Sequence, residues 1–416
     1  VKTTITTGVE ATISRASKFR TNMLTCHFVG PIDAASNTEM TLLTWMLAHG
    51  CQKYPQSDEL SLVLAQLYGA NLQVYHQNYG RWRDLVVEIS FVDPQTDGKI
   101  GERCLDLIKQ IIFEPLIGAA HFGIQTYQSE YQALKTELLD LQTDHDFQTY
   151  ALTKDAFFDE TELKTPRIGN LAELAVINYD RLVELYQRIL QHWQIELVDY
   201  GQNLPADAQL SDWSFAPRQV QLPEPQLTNF GVTQTQTVTQ EVVGEQTHLS
   251  LAYSLPDLAS QQARDVLRLW VAILGGDEQS LLFRQVREQS GLAYDIGANY
   301  DSFLGWLVIE AGVDRQQTQA AQADIALVLQ TATEKIDPEL LALEKENLIN
   351  EQLQALDQPR TRSMELFADA LFPERQRDQA DFARAIRAIT AEQVMQIAGQ
   401  CHLKVVTELL NQEDKK

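Results

Sequence analysis

Cysteine is scarce in this chain of 416 residues: Cys26, Cys51, Cys104 and Cys401 are widely scattered and form no CxxC pair. That spacing suggests neither a disulfide framework nor a cysteine zinc site, and reduced, mostly buried thiols are expected. Histidine is no better placed. Among His27, His49, His76, His121, His145, His192, His248 and His402, no two stand four residues apart, the separation that sets two ligands on one helix face. Apolar runs are short as well. None approaches the ~18 residues a membrane-spanning helix needs, and the start, Val1-Lys2-Thr3-Thr4, lacks a basic head followed by an apolar stretch. The expected compartment is the cytoplasm. Basic residues are in deficit, 33 Lys and Arg against 57 Asp and Glu, for a formal net charge of -24. Such a surface repels polyanions and negatively charged lipid leaflets, so neither nucleic acid nor a membrane is expected as a partner.

Catalytic signatures are missing too. The chain has no P-loop, no Rossmann glycine fingerprint, no GxSxG elbow and no HExxH. One glycine pair could cradle an anion, in Leu274-Gly275-Gly276-Asp277. It follows a helical pattern instead of opening one, and reads as a helix C-cap.

What is present is ordinary globular composition, 44% hydrophobic and 22% charged, over a length that predicts two or three domains. Pro205, Pro217, Pro223 and Pro225 stand among polar residues without helical periodicity. That stretch reads as a semi-extended linker over 205–230, between a first domain at 1–204 and a second at 231–416.

The two halves repeat one another in three blocks. Ser36-Asn37-Thr38-Glu39 is a capping box opening a helix through His49, with Gly50 expected as its left-handed stop. Gln262 to Leu274 repeats that helix, Trp270 matching Trp45 and Gly275 matching Gly50. Leu64 to Gly69 then aligns with Val286 to Gly291, and Leu85-Val86-Val87-Glu88 with Leu307-Val308-Ile309-Glu310. Trp306, Val308 and Glu310 alternate with Leu307, Ile309 and Ala311, the pattern of a strand covered on one face. Ile177 to Leu182 matches Ile389 to Val394, each opening a helix behind an N-cap, Asn178 or Thr390. Longer helical patterns lie around Tyr127 to Leu141 and Leu340 to Leu353. The fold class expected is α+β: two tandem homologous domains, each a mostly antiparallel sheet packed with helices.

One stretch is more specific. Leu282-Phe283-Arg284-Gln285-Val286-Arg287-Glu288-Gln289-Ser290-Gly291-Leu292-Ala293-Tyr294 is followed by Tyr300-Asp301-Ser302-Phe303-Leu304-Gly305 and then Ala311-Gly312-Val313-Asp314. It resembles the C-terminal half of the pitrilysin/insulinase zinc-peptidase superfamily, in its processing-peptidase-like branch. The resemblance implies tandem α+β domains forming half of a clamshell. It also implies an HxxEH zinc motif on the first helix, where this chain reads Thr41-Leu42-Leu43-Thr44-Trp45. Hydroxyls at Thr41 and Thr44 do not replace imidazole ligands, and Trp45 has an N–H but no lone pair to offer. Glu137, in Thr136-Glu137-Leu138, resembles the segment that supplies the family's third ligand. Arg287 and Tyr294 match the pair that faces the peptide.

A degenerate zinc motif beside an intact Arg/Tyr pair resembles the noncatalytic subunit of the family's two-subunit bacterial peptidases. On that reading no catalytic residue or metal ligand resides in this chain and no cofactor binds to it. Zinc would sit on a homologous HxxEH-bearing partner, and Arg287 and Tyr294 would bind the peptide substrate. The alternative is a peptide- or protein-binding pseudo-enzyme or scaffold, acting as a homodimer without proteolysis.

Overall fold

The computed structural model describes residues 1–92, 99–119, 122–202, 213–227 and 234–412. Two sheets organise it. The first contains β1 (Lys2–Thr6), β2 (Val9–Arg15), β3 (Thr21–Pro31), β4 (Asn71–Tyr79), β5 (Trp82–Val92) and β6 (Gln194–Gly201), in the order β1-β2-β6-β3-β5-β4. The second contains β7 (Gln236–Val242), β8 (Thr247–Ser254), β9 (Ala293–Asp301), β10 (Trp306–Val313) and β11 (His402–Asn411), in the order β7-β11-β8-β10-β9. Without β1 the two orders are the same. Each has one parallel pair, β2 with β6 and β7 with β11, and is otherwise antiparallel. The repeat read from the sequence is thus a repeat of topology, and the α+β class stands.

Local signals account for the helices. Ser36 Oγ accepts from the Glu39 N–H at 3.1 Å while Glu39 Oε2 accepts from the Ser36 N–H at 2.7 Å, closing the capping box of helix Asn37–His49. Its counterpart Gln261–Gly275 is capped by Ser260. Asn178 and Thr390 cap Tyr179–His192 and Ala391–Ala398 as expected. Gly50 differs from expectation. Its φ of 165° is extended, not left-handed, and the reason for glycine is space, since a Cβ there would stand 2.4 Å from the Tyr54 carbonyl oxygen. The segment matched to Leu64–Gln66 is also not an ordinary helix, because Phe283–Gln289 is π-helical.

Each sheet buries one face in a large apolar core. In the first, Leu24, Cys26 and Phe28 of β3 and Leu85, Val87 and Ile89 of β5 pack with Leu42, Leu43, Met46 and Leu47 of the helix. In the second, Leu249, Leu251, Leu307 and Ile309 pack with Leu267, Trp270 and Leu274. All four cysteines are free thiols, and Cys26, Cys51 and Cys104 are buried.

The opposite faces were expected to meet solvent, and they are covered. Trp306 on β10 packs against Phe157 and Phe158 at centroid distances of 5.4 and 5.2 Å, and Thr153 donates to Thr407 of β11 at 2.8 Å. Thr153 and Phe157 come from helix His145–Phe157, in the first half of the chain, and Phe158 is the residue that caps its C-terminus. Reciprocally, helix Pro359–Leu371 of the second half lies on the first sheet, with Ser363 bonded to Thr25 at 3.0 Å and Phe367 stacked on His27 at 3.5 Å. The compact units are therefore discontinuous. One comprises Val1–Leu139, Arg167–Pro225 and Ala355–Gln376; the other comprises Asp140–Pro166, Gln226–Gln354 and Arg377–Lys416.

Part of the proline-rich stretch lies outside the described residues. Residues 213–227 carry no helix or strand, but Trp213 and Phe215 are buried in the first core. Arg218 donates to the carbonyls of Leu190, Trp193 and Ala216. This portion is anchored by burial instead of acting only as a spacer.

Helix Pro338–Ala355 carries a buried Glu344 whose Oε1 has no hydrogen-bond partner among the described residues. Burial, followed by the charge of Asp277, pushes its carboxyl up from 4.5 to about 7. The folded state then holds this proton more tightly than the unfolded chain. Its stabilisation is full below pH ~4.5 and is lost as the pH rises towards 7. Glu344→Gln is expected to raise Tm relative to the parent at pH 8 but not at pH 4.5; an equal shift at both pH values would contradict the assignment.

Candidate functional site

Helix Asn37–His49 lies against the edge strand β4, and the positions of the degenerate zinc motif face inward there. Thr41 and Thr44 are buried. Thr41 Oγ1 stands 3.0 Å from His76 Nε2 and donates to the Arg167 carbonyl at 3.3 Å. With its proton given to that carbonyl, Thr41 accepts from the imidazole N–H. Thr44 donates to the Thr41 carbonyl one turn back, at 2.8 Å, a local bond typical of helical threonine. Trp45 is partly buried against the apolar core. Both hydroxyls are therefore committed within the chain.

His76 does not substitute for the missing ligands. Burial pushes its pKa well below the ordinary histidine range, with the charges of Arg83 and Arg167 acting in the same direction. The ring is neutral, bonded through Nε2, and its Nδ1 has no partner among the described residues. Nearby, Arg167 Nη1 donates to the His76 carbonyl at 3.0 Å, so one backbone acceptor of β4 is already engaged.

Glu137 lies on the exposed side of helix Phe122–Asp140. Two carboxylates from elsewhere in the chain reach the motif helix: Glu130, whose Oε1 meets His49 Nδ1 at 2.7 Å, and Glu173, which accepts from the Thr38 hydroxyl at 2.5 Å. His49 with Glu130, and Glu173 on Thr38, do not make a tetrahedral zinc site. Among the described residues, no group of three or more His, Cys, Asp or Glu could hold a metal ion. A catalytic zinc does not fit the donors found among the described residues.

Arg287 and Tyr294 belong to the other compact unit. Arg287 projects from the π-helical segment, exposed, with its guanidinium 4.7 Å from the Phe283 ring centroid. π-Helical turns often mark functional positions. Tyr294 is exposed on β9, one of the two edge strands of the second sheet, and its OH donates to Asp314 Oδ1 at 2.7 Å. That bond and the Asp314 charge raise the phenol's pKa. The residues missed by sequence reasoning are His76, Arg167 and Glu130, which no local pattern marks. Asp314 was visible as the end of the Ala311 to Asp314 stretch, but without a role.

Among the described residues no helix is long and apolar enough to cross a membrane. Comparison with known proteins adds the following. A family model described as "Peptidase M16 inactive domain" matches residues 177–348. The probable inactive metalloprotease YmfF of Bacillus subtilis is 23% identical over 328 residues, 77% of this chain and 76% of that protein. The uncharacterized zinc protease YmxG of the same organism is 29% identical over 122 residues, 29% of this chain and 27% of its own. Among solved structures, a conserved protein from Enterococcus faecalis V583 superposes with a TM-score of 0.93 at 23% identity, over 100% of this chain and 99% of the other. A peptidase M16 inactive domain from Pseudomonas fluorescens superposes with a TM-score of 0.80 at 14% identity, covering 98% and 97%.

Proposed function

We propose that this chain, which a model of the peptidase M16 inactive domain matches over residues 177–348 and which reads Thr41-Leu42-Leu43-Thr44-Trp45 where that family carries its zinc motif, is the noncatalytic subunit of a two-subunit zinc peptidase of the cytoplasm. An HxxEH-bearing homologue would hold the metal and the attacking water. This chain would supply peptide-binding contacts, Arg287 and Tyr294 among them, as half of the assembled clamshell. The carrying observation is the contrast between two positions. Thr41 and Thr44 are buried and spend their hydroxyls internally, whereas Arg287 and Tyr294 remain exposed on or beside an open strand edge.

The chemistry follows from those side chains. A guanidinium clamps a peptide carbonyl or carboxylate by charge-assisted hydrogen bonds. A phenol can orient a peptide group or support an oxyanion, if its proton is released from Asp314. Extended peptides add to sheet edges through backbone hydrogen bonds with little demand on sequence, and β4 and β9 are both edge strands.

A tagged pull-down from the native host, with mass spectrometry of the stoichiometric partner, tests the first half of this reading. An HxxEH-containing protein is expected. Recovery of this chain alone as a homodimer would favour the scaffold alternative. With the complex in hand, Arg287→Ala and Tyr294→Phe are each expected to lower peptide turnover about tenfold, the scale of one hydrogen bond involving a charged or reacting group, without loss of assembly by gel filtration. Unchanged turnover in both variants would remove these residues from the mechanism.

A further inference from the structure

Asp314 closes the motif stretch of β10, and the backbone brings Tyr294 to it through a β-bulge. Along the β9–β10 ladder the register is unbroken from Trp306 facing Asp301 to Gly312 facing Asp295, and then Val313 faces Ala293. Tyr294 is the extra residue of β9 between them. A bulge bends its strand and re-aims the side chain it carries. Here the phenol turns to Asp314, its OH donating to Oδ1 at 2.7 Å.

Asp314 is held for this contact. Its carbonyl accepts from the Gln317 N–H at 2.9 Å, opening the turn Arg315–Gln317 ahead of helix Thr318–Glu334. The neighbouring cation is engaged elsewhere, since Arg315 donates to the Asn411 carbonyl and to Glu241, each at 2.6 Å. Asp295, the carboxylate next to the bulge, lies over Gly312, where any Cβ would collide with its Oδ1. The phenol proton therefore goes to Asp314.

A phenol has one proton to give. With that proton directed at Asp314, the exposed oxygen of Tyr294 offers only lone pairs to a molecule arriving at the edge of β9. The phenol's pKa is raised first by this bond and then by the Asp314 charge, which agrees with a proton that is held. A backbone N–H satisfies such an oxygen. A carbonyl oxygen, or the oxyanion of a tetrahedral intermediate, finds no proton there.

We propose that Asp314 is a positioning residue that fixes Tyr294 as a hydrogen-bond acceptor, so that a peptide at β9 is received through a backbone N–H and not through a carbonyl. The proposal rests on the peptide-binding reading and gives it a ligand rule: a residue without an N–H, such as proline, is disfavoured beside Tyr294.

The test replaces Tyr294 in the purified full chain by 3-fluorotyrosine or 3,5-difluorotyrosine, because ring fluorine makes a phenol a better donor and a poorer acceptor. Without ligand, the fluorine resonance follows the titration of the phenol. Asp314→Asn and Asp314→Ala should each lower its pKa towards that of an ordinary tyrosine; an unchanged titration would overturn the positioning role. Binding is then read at about pH 6, where tyrosine is neutral, by the anisotropy of a fluorescein-labelled decapeptide of alternating serine and alanine. Affinity is expected to fall about twofold per fluorine, a fraction of one hydrogen bond. In Asp314→Ala that trend should vanish or reverse, while Asp314→Asn, which keeps an acceptor oxygen, should restore most of it. Affinity that rises with fluorination in the parent, or falls equally in Asp314→Ala, would overturn the assignment.

If the decapeptide does not bind, the peptide-binding reading fails by itself. The polarity of Tyr294 is then read from its fluorine resonance with two peptide-bond analogues, N-methylacetamide, which has an N–H, and N,N-dimethylacetamide, which has only the carbonyl. A larger shift with N-methylacetamide, lost in Asp314→Ala, would retain the acceptor role. An equal or larger shift with N,N-dimethylacetamide would discard it.

Discussion

Cut between Pro225 and Gln226, the chain is expected to yield two fragments neither of which folds alone. The expectation follows from the exchanged helices. The first fragment keeps the first sheet but loses Pro359–Leu371, which covers Thr25, His27 and Val29. The second keeps Trp306 but loses Phe157 and Phe158, which pack on it. Each fully buried aromatic or large aliphatic side chain contributes ~1.5–3 kcal/mol, against a total of ~5–15 kcal/mol for a domain. Losing several such contacts at once, while exposing buried partners of lost hydrogen bonds, consumes that margin. Made together, the fragments should copurify at equal stoichiometry and recover a cooperative thermal transition. A sharp transition and native near-ultraviolet dichroism in either fragment alone would show that the exchanged helices are dispensable.

The same exchange explains where the sequence was readable and where it was not. The capping box at Ser36 and the N-caps at Asn178 and Thr390 are local signals, and each is found as read. The paired strands around Leu85 and Leu307 were identifiable because their core-facing residues alternate. The covering of the other face was not identifiable, because that face mixes apolar residues such as Val29 and Trp306 with many polar ones: Thr25, His27, Asp84 and Glu88 in one sheet, Ser250, Glu310 and Thr407 in the other. Alternation of this kind ordinarily means solvent. Here Ser363 and Thr153 supply hydrogen bonds from more than 200 residues away in sequence, a separation at which periodicity carries no information. The candidate site divides similarly. Arg287 and Tyr294 belong to a recognisable motif. The occupation of the degenerate zinc position by His76 and Arg167 depends on tertiary placement alone. Gly50 was correctly marked as a necessary glycine for the wrong reason, since sequence does not distinguish a left-handed turn from a close approach.

Truncating Phe367 should be among the costliest single changes in the first unit. Its ring is fully buried, lies parallel to His27 at 3.5 Å and 7°, and packs with Val29 and Val198. Beneath it, His27 Nδ1 is 2.9 Å from Asp84 Oδ2, with both side chains fully buried. A histidine oriented by an aspartate looks like part of a catalytic relay. The geometry argues for structure instead: among the described residues no hydroxyl or thiol nucleophile, nor any other partner, is bonded to the other ring nitrogen, and Phe367 closes the imidazole face. Phe367→Ala is expected to cost about 3–5 kcal/mol in urea unfolding, the usual range for a buried phenylalanine. It should also open His27 to water, which diethyl pyrocarbonate detects as one additional modified histidine in the native variant. A loss below ~1 kcal/mol with unchanged histidine reactivity would mean that the helix is only loosely applied to the sheet. The polar face of the first sheet would then have to be explained without it.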